Sequence, residues 1–396
     1  AMLRETHMRR FIRLHHACRK LPANGMTLVV KGKRQPNRLS PAVVLNRASN
    51  IRLENINIFH AGGMGLIAER SEDITLHKFN VCLRPGTKRL VSTTADATHF
   101  VSCRGSLRFE QCLFENMLDD ATNVHGIYTR VVKPTGPNRL LARIVHFQQH
   151  GFDFADPGDD IRFSCSQTLL PQGRARVKTV RPINEEIFEI TFYEPIDRYL
   201  NSETILDNLS WQPDVFMHDC TVRNNRARSI LLTTAGDVLI SENRFERSSM
   251  SNILIEGDAY FWHESGPVRR IRIERNRFID LNPTSPSIKI AARRSDPGEN
   301  PECYHRNIVI ADNIFELHGT EILQALGTQG LTFRNNRIQK AKDYRSGDPN
   351  APAICIEGCR DVTIAGNTCA LERTGHLVID EQSKGWVTVN NTGLEP

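Results

Sequence analysis

The sequence predicts an all-β protein built as a parallel β-helix, with a small antiparallel β-barrel inserted into it. Three observations support this fold class. An eight-residue phrase recurs along the 396 residues, one position of the phrase is repeatedly Asn or Cys, and one long interval between phrases has strand and turn signals of its own. A short repeat with insertions of variable length is typical of a solenoid whose coils stack on one another.

The repeated phrase reads apolar, any, apolar, two polar, Asn or Cys, any, apolar. Its alternation of apolar residues predicts a strand with one buried face, and the polar pair predicts a bend. Equivalent positions on successive coils should then stack at about 4.8 Å, the spacing of neighbouring strands. The nine copies begin at residues 51, 74, 107, 215, 238, 271, 308, 331 and 362.

The sixth position of the phrase predicts a ladder of polar side chains inside the solenoid. The last five copies carry Asn243, Asn276, Asn313, Asn336 and Asn367, whereas the first four carry Ile, Phe or Cys. An asparagine at an inward bend can satisfy backbone groups that would otherwise be unpaired, and it can bond to its stacked neighbours. We therefore interpret these asparagines and cysteines as structural residues.

The repeat divides the chain into four parts. Residues 1–45 contain strand-like fragments and are predicted to be a partial N-terminal β module, and residues 46–127 are predicted to form the first part of the β-helix. Residues 128–212 lie in the long interval between the third and fourth phrases, where alternating runs and turn signals predict an inserted β-barrel-like module. Residues 213–396 then form the second part of the β-helix. Since the insertion begins just after Gly126, we expect it to form a wall beside the residues that precede it.

Three aspartates are the candidate catalytic residues. Asp96 follows the second phrase, and Asp119 and Asp120 follow the third, 23 residues further on, which is also the commonest spacing of the repeat. Stacked coils would bring these carboxylates to one wall, where their repulsion raises at least one pKa into the range of a general acid. This arrangement suggests hydrolysis of a glycosidic bond, although each aspartate could instead be a solvated turn residue. Inverting enzymes separate acid and base by roughly 6.5–9.5 Å and retaining enzymes by about 5–5.5 Å, and the sequence leaves both open.

Further polar and aromatic residues are candidates for substrate binding. His99, Asn123 and His125 lie beside the aspartates and could hold sugar hydroxyls, orient a carboxylate or form structural hydrogen bonds. A tryptophan in a protruding turn between acids suits a sugar ring, whose C–H face packs on the indole, although core packing is the alternative. The candidates on later coils are Arg226, Arg228, Glu256, Asp258 and Trp262.

Four segments of the chain resemble glycoside hydrolase family 110 in order and spacing. They are Ala95-Asp-Ala-Thr-His-Phe100, Asp119-Asp-Ala-Thr-Asn-Val-His-Gly126, Arg223-Asn-Asn-Arg-Ala-Arg228 and Ile253-Leu-Ile-Glu-Gly-Asp258. The resemblance covers roughly residues 40 to 390. Members of this family are bacterial exo-α-1,3-galactosidases on a right-handed β-helix with inserted β-barrel modules, so the resemblance implies that fold here.

The resemblance also implies a mechanism and a substrate. It implies an inverting enzyme in which Asp119 is the general acid, while Asp96 and Asp120 hold the attacking water as base. The implied substrate is a glycan ending in α-1,3-linked galactose, of the blood group B type, the linear Galα1-3Gal type or both. No metal or organic cofactor is implied. The resemblance also implies a secreted or periplasmic protein.

Two other functions remain open from the sequence. A polygalacturonase-like hydrolase would share the β-helix and the order of the acidic residues, but it would bind a uronate with a basic subsite, commonly Arg-x-Lys. Pro286-Ser-Ile-Lys289 matches that pattern only weakly. A non-catalytic glycan-binding β-helix is the other alternative, in which the carboxylates would only contact hydroxyl groups.

The composition bears on partners and on cysteine chemistry. The net charge is +6, but the arginines are scattered over alternating strand positions, so we expect no nucleic-acid partner. The apolar runs are too short to predict a membrane span, and a homo-oligomer stays open. Several of the ten cysteines occupy buried phrase positions, which favours core thiols over disulfides or zinc ligands.

Overall fold

The computed structural model describes residues 4–6, 9–11, 38–279, 285–295, 302–317, 321–341, 352–370, 375–392 and 394–395. Within these ranges the regular structure is β-strand, apart from three single-turn 3-10 helices. The 3-10 helices are Phe147–Gln149, Asp197–Tyr199 and Lys384–Trp386. The predicted fold class, an all-β parallel β-helix with an inserted antiparallel barrel, is confirmed.

The nine phrases lie on one face of the solenoid, which we call the phrase sheet. The first eight phrases each supply a strand before the bend and a strand after it, whereas the ninth lies within the single strand Arg360–Cys369. Strands of successive coils pair in parallel, with Val238 opposite Ile271 as an example. Eighteen strands of the described ranges belong to this sheet. They are Ser49–Glu54, Asn57–Ile58, Glu72–His77, Asn80–Val81, Arg104–Glu110, Leu113–Glu115, Asp214–His218, Thr221–Arg223, Asp237–Ser241, Arg244–Glu246, Arg270–Glu274, Arg277–Ile279, His305–Ala311, Ile314–Leu317, Thr328–Arg334, Arg337–Lys340, Arg360–Cys369 and Val387–Thr392.

The bend inside each phrase is made by a single residue in the left-handed backbone region. It is the fifth residue of the phrase in all nine copies, with φ of 51° at Lys78 and 66° at Gly366 as the extremes. One such residue turns a strand sharply, and Asn, Asp and Gly adopt this conformation most readily. The other residues at this position are Asn55, Gln111, Asp219, Glu242, Arg275, Asp312 and Asn335.

The bend directs the sixth residue inward, where the predicted asparagine ladder forms. The Asn243 amide donates to Asn276 Oδ1 at 3.0 Å, and the same contact repeats from Asn313 to Asn336 at 3.0 Å. Each amide also donates to a backbone carbonyl; Asn313 Nδ2, for example, bonds to the carbonyl of Ile273 at 2.9 Å. The ladder extends one coil beyond the last phrase, because Asn367 Nδ2 donates to Asn391 Oδ1 at 2.7 Å.

Twelve strands of the described ranges form a second face of the solenoid, which we call the cleft sheet. Its first strand begins at Val43 and pairs in parallel with Leu66–Glu69, so the solenoid starts slightly before residue 46. Elsewhere in residues 1–45 a hairpin of Arg4–Thr6 and Arg9–Phe11 is described, and the remainder up to residue 37 lies outside the described residues. The strands are Val43–Asn46, Leu66–Glu69, Thr98–Val101, Thr122–Ile127, Ile230–Leu232, Ile253–Asp258, Glu264–Ser265, Ile288–Arg293, Leu323–Leu326, Ile354–Glu357, Gly375–Ile379 and Leu394–Glu395.

One apolar core fills the space between the sheets along the whole solenoid. Aromatic residues at the eighth phrase position stack along its axis, with ring centroids 5.1 Å apart for Phe245 and Phe278 and 4.8 Å apart for Phe278 and Phe315. These side chains are fully buried, and burying each contributes roughly 1.5–3 kcal/mol of transfer free energy.

The insertion is a closed six-stranded antiparallel barrel with a separate apolar core. It leaves the cleft sheet directly after the strand Thr122–Ile127, and the chain re-enters the phrase sheet at Asp214. The barrel therefore stands beside the carboxyl end of that strand. Its strands are Thr129–Gly136, Arg139–Ile144, Asp160–Cys165, Pro171–Pro182, Ile187–Phe192 and Thr204–Asn208.

Two further findings concern the membrane and the cysteines. The described part of the chain contains no helix with the length and apolar character needed to cross a bilayer. Nine cysteines fall in the described residues, and all nine are free thiols. Cys112 and Cys220 fill the sixth phrase position on adjacent coils, where the backbone N–H of Cys112 donates to Cys220 Sγ at 3.3 Å.

Candidate active site

The three aspartates lie in turns that lead from the phrase sheet into the cleft sheet. Asp96 precedes the strand Thr98–Val101, and Asp120 precedes the strand Thr122–Ile127. These strands pair in parallel with Thr122 opposite Thr98, so the two turns stack. As a result, oxygen atoms of the three carboxylates lie within 4.8 Å of one another.

Each aspartate has a different charged partner. Asp96 Oδ2 lies 2.6 Å from His99 Nδ1, whereas Asp119 Oδ2 accepts a hydrogen bond from Arg38 Nη2 at 2.6 Å. Asp120 is held by Arg228 through two contacts of 2.7 Å, one from the backbone N–H and one from Nη2. The side chain of Asp119 is 13% exposed, the most accessible of the three. The three carboxyl groups therefore have different electrostatic environments although they share one site.

A chain of hydrogen bonds behind Asp96 determines its ionisation. His125 Nδ1 lies 2.8 Å from the carbonyl oxygen of Gly126, so this nitrogen carries a hydrogen and donates it. His125 Nε2 lies 2.9 Å from His99 Nε2, and His99 Nδ1 lies beside the Asp96 carboxylate, so one of the two imidazole rings must be doubly protonated when Asp96 is ionised. The raised pKa of His99 and the lowered pKa of His125 favour a cationic His99 and a neutral His125. Asp96 therefore faces a buried positive charge.

The pKa shifts agree with this arrangement. Burial acts to raise the pKa of Asp96, but the hydrogen bond and the charge of His99 outweigh it and hold that pKa below its usual value. Burial also acts to lower the pKa of His99, and the Asp96 carboxylate reverses this and raises it. Burial lowers the pKa of His125, which keeps that ring neutral.

The pKa of Asp120 is shifted in the opposite direction from that of Asp96. Burial, together with the charges of Asp96 and Asp119, raises the pKa of Asp120 to about 7, although Arg228 opposes this shift. The pKa of Arg228 is itself raised by Asp120, so the arginine stays charged. The site therefore combines an ionised carboxylate with a carboxyl group that exchanges its proton near neutral pH.

The aspartates lie in a cleft with a volume of about 660 Å³. The barrel supplies one wall, through His146 and the segment 148–152, as its point of insertion predicts. Arg226, Arg228 and Trp262, from later coils, also line the cleft. Arg226 lies near Asp119, with Nη2 and Oδ1 3.5 Å apart.

Among the cleft-lining residues of the solenoid, two buried polar atoms have no hydrogen-bond partner in the described part of the chain. They are Asn123 Oδ1, an acceptor, and Arg228 Nε, a donor. The amide nitrogen of Asn123 is already engaged with Glu264 Oε1 at 3.2 Å, which fixes the orientation of the side chain. Buried polar groups usually find partners, so these atoms are suited to a sugar hydroxyl.

Glu256 and Asp258 are not brought into the cleft. Glu256 Oε1 is bound by Arg293 Nε at 2.5 Å. The buried Asp258 carboxylate accepts the backbone N–H groups of Tyr260, Phe261 and Trp262 at 2.7, 3.0 and 2.8 Å. Asp258 therefore shapes the turn that carries Trp262 into the cleft.

Several cleft residues were not singled out from the sequence. Arg38 lies 81 positions before Asp119, in a region without a motif, and no sequence signal connects the two. Glu264 ends the segment that contains Trp262, and its 3.6 Å contact with His125 depends on the short strand Glu264–Ser265 pairing antiparallel with the strand Thr122–Ile127. Gln149 belongs to the barrel and donates to the carbonyl of Trp262 at 3.1 Å. These residues reach the site only through long-range contacts.

The three carboxylates are close enough to share a cation, but their partners disfavour one. A divalent cation such as Ca²⁺ prefers six to eight uncommitted oxygen ligands. Here Arg38, Arg228 and His99 already supply positive charge to the three aspartates. The three carboxylates therefore fit a metal ion poorly.

Fold and site together define a right-handed parallel β-helix protein with an inserted barrel and a carboxylate-lined cleft at the junction. Residues 139–206 match the family model described as "GLAA-B beta-barrel domain II", and residues 205–393 match "Right handed beta helix region". Both matches agree with the resemblance of the motifs to glycoside hydrolase family 110.

The relatives carry the name α-1,3-galactosidase. The α-1,3-galactosidase A of Shewanella woodyi is 36% identical over 349 residues, which cover 87% of this chain and 56% of that protein. The α-1,3-galactosidase B of Phocaeicola vulgatus is 36% identical over 360 residues, covering 86% of this chain and 60% of that protein. The chain thus spans somewhat more than half the length of these relatives. Among solved structures, the catalytic domain of a GH87 α-1,3-glucanase matches 88% of this chain and 49% of its own, at 10% identity and a TM-score of 0.33, a likeness that supports no argument about function.

Proposed function

We propose that this protein is an exo-acting α-1,3-galactosidase that hydrolyses terminal galactose with inversion of configuration. The observation that carries the proposal is the convergence of three carboxylates with different charge partners in one cleft. The names of the relatives support the choice of an α-1,3-galactoside as substrate. Exo action is part of what the resemblance to the family implies.

The proposed roles follow the family resemblance. Asp119 donates a proton to the glycosidic oxygen as the bond from that oxygen to C1 breaks. A water oxygen then bonds to C1 and gives up its proton to Asp96 or Asp120. The low pKa of Asp96 supports the role of this residue as base, since a base must be ionised before it can accept a proton.

The contact between Arg38 and Asp119 bears on the acid role. Arg38 Nη2 donates to Asp119 Oδ2 at 2.6 Å, so this oxygen is already engaged in a contact that must be exchanged if the same oxygen is to face the glycosidic oxygen. Asp120 is an alternative proton donor, because its pKa of about 7 lets it hold a proton near neutral pH. The two assignments differ in how the kinetics depend on the leaving group.

Inversion rests on the family resemblance rather than on distance. Oxygen atoms of the three carboxylates approach within 4.8 Å, closer than the roughly 6.5–9.5 Å typical of an inverting pair. With three carboxylates, however, no single pair determines the stereochemistry. The test is proton NMR of the galactose released from Galα1-3Gal: the first anomer formed should be β, and early α-galactose would contradict inversion.

The polygalacturonase-like alternative has less support. A uronate carboxylate needs an uncommitted cation, whereas Arg38 and Arg228 are paired with the aspartates. Lys289 lies opposite Leu254 and Gln324 in the cleft sheet and is not one of the residues that line the cleft. Assaying galacturonan beside Galα1-3Gal separates the two hydrolases, and binding without turnover of either would favour the non-catalytic alternative.

Specificity and location belong to the same proposal. We propose that the substrates are blood group B-type glycans, linear Galα1-3Gal glycans or both, and that the protein acts outside the cytoplasm, where such glycans occur. Comparing turnover of a linear and a fucosylated branched oligosaccharide tests the first part. Fractionation of the source cells tests the second.

A further inference from the structure

A group of aromatic side chains, which we call the rim, extends from the lining of the cleft to the protein surface. His146 and Trp262 line the cleft, with ring centroids 5.2 Å apart. Phe147 packs on His146 at 4.9 Å, and Phe261 meets Trp262 edge-on at 4.9 Å. Phe147 is 54% exposed and Phe261 is 55% exposed, so an apolar surface continues outward from the cleft.

The rim is held together by contacts from both parts of the fold. Phe147 begins a 3-10 turn of the barrel, whereas Phe261 and Trp262 lie in a solenoid turn. The buried Asp258 carboxylate fixes the solenoid turn through three backbone N–H groups. The hydrogen bond from Gln149 Nε2 to the carbonyl of Trp262 ties the two turns together. The aromatic rings are therefore presented in a fixed arrangement.

We infer that this rim, formed by His146, Phe147, Phe261 and Trp262, binds the saccharide on the leaving-group side of the scissile bond. The inference rests on the proposed function and assigns a substrate-binding surface to it. The galactose must lie beside the aspartates, and the rim runs from rings that line the cleft to exposed rings, which offers a path for the rest of the glycan. The C–H faces of a pyranose pack well on aromatic rings, and such rings lose little conformational entropy when they bind.

The test compares substrates with and without that saccharide. Phe147→Ala and Phe261→Ala are the variants, and Tyr193→Ala is the matched control, because Tyr193 is a 62% exposed aromatic residue elsewhere on the barrel. The substrates are the trisaccharide Galα1-3Galβ1-4Glc and α-galactosyl fluoride, which has no leaving sugar. Each rim variant should lower kcat/KM for the trisaccharide by about tenfold, mainly through KM, and change it less than about twofold for the fluoride.

A binding measurement decides the inference even without turnover. Saturation-transfer NMR with lactose as the probe should show transfer from aromatic protons in the wild type and the control, and reduced transfer in both rim variants. Equal losses on the trisaccharide and the fluoride, or unchanged lactose contacts in the variants, would overturn the inference. A change of oligomeric state in Phe261→Ala with unchanged kinetics would instead identify a contact between copies of the chain. Wild-type protein inactive on both substrates would contradict the proposed function, while the lactose contacts would still decide the role of the rim.

Discussion

At the scale of single residues, the partners of the three aspartates give them different chemistry. Asp96 faces cationic His99, and Asp119 is the most accessible of the three. Asp120 accepts a hydrogen bond from Arg228, and burial raises its pKa. Carboxyl groups whose environments move their pKa values apart are suited to opposite roles as acid and base. This difference, rather than the mere presence of three carboxylates, is what favours catalysis over passive sugar binding.

The general acid can be identified from how the loss of turnover in each variant depends on the leaving group of the substrate. Asp119→Ala should lower turnover of Galα1-3Gal by about 10²–10⁴-fold. It should lower turnover of α-galactosyl fluoride far less, because fluoride leaves without protonation. Asp120→Ala, which removes a proposed base, should impair both substrates. If the fluoride instead rescues Asp120→Ala and not Asp119→Ala, the roles of the two residues are reversed.

The pH dependence tests the environment of Asp120. As a base, Asp120 must lose its proton, so kcat/KM should rise through about pH 7, the pKa of this group. Arg228 opposes protonation, so Arg228→Met should raise the pKa of Asp120 and move the acidic limb upward by about one pH unit. Arg223→Met is the control, since Arg223 binds Glu115 at 2.7 Å, outside the cleft. A limb that falls with rising pH near 7 would indicate that Asp120 works as the acid.

At the scale of elements, the asparagine ladder is the buried polar network inside the solenoid. Asn313 Oδ1 accepts from both the backbone N–H and the amide of Asn276, and Asn313 Nδ2 donates to the carbonyl of Ile273. Replacing this side chain leaves those buried groups unpaired. Asn313→Ala should therefore lower the free energy of unfolding by about 1–3 kcal/mol or more, since several partners are lost.

Denaturant unfolding measures this effect against a matched control. Asn57→Ala removes an exposed asparagine from the same sheet, whose contact to Asn80 is at the surface, and should change stability by less than about 0.5 kcal/mol. Similar losses in the two variants would mean that the ladder contributes no more than a surface contact.

The elements that could be predicted from the sequence are those encoded locally. The phrase fixes strand, bend and inward residue within eight positions, so both the phrase sheet and the ladder follow from reading it. Asn391 was missed because its coil lacks a recognisable phrase, although it accepts from Asn367. The role of Asp258 was not visible, because a carboxylate in a turn can face either solvent or its own backbone. Arg38 and Gln149 reach the site through tertiary contacts that no local pattern records.

At the scale of the whole molecule, the barrel is fixed to the solenoid by a buried polar junction. The hydroxyl groups of Tyr128 and Tyr304 lie 2.7 Å apart, in a cluster that also contains Ile205 of the barrel. Beside it, the buried Asp207 carboxylate accepts from Arg162 Nε at 3.0 Å and from Arg162 Nη2 at 2.5 Å. Because the barrel supplies one wall of the cleft, the stability of this junction should govern activity.

Breaking one side of the buried ion pair tests that coupling. Asp207→Ala leaves the buried Arg162 guanidinium without its partner and should destabilise the barrel by about 3–5 kcal/mol. Asp160→Ala, at an exposed position on the same strand as Arg162, should have little effect. In urea, the Asp207→Ala variant should lose activity at a lower concentration than it loses the β-sheet signal of the solenoid, because the wall of the cleft unfolds first. If activity and the whole β-sheet signal disappear together at the same shifted midpoint, the barrel and the solenoid form one cooperative unit, and the cleft depends on the stability of both.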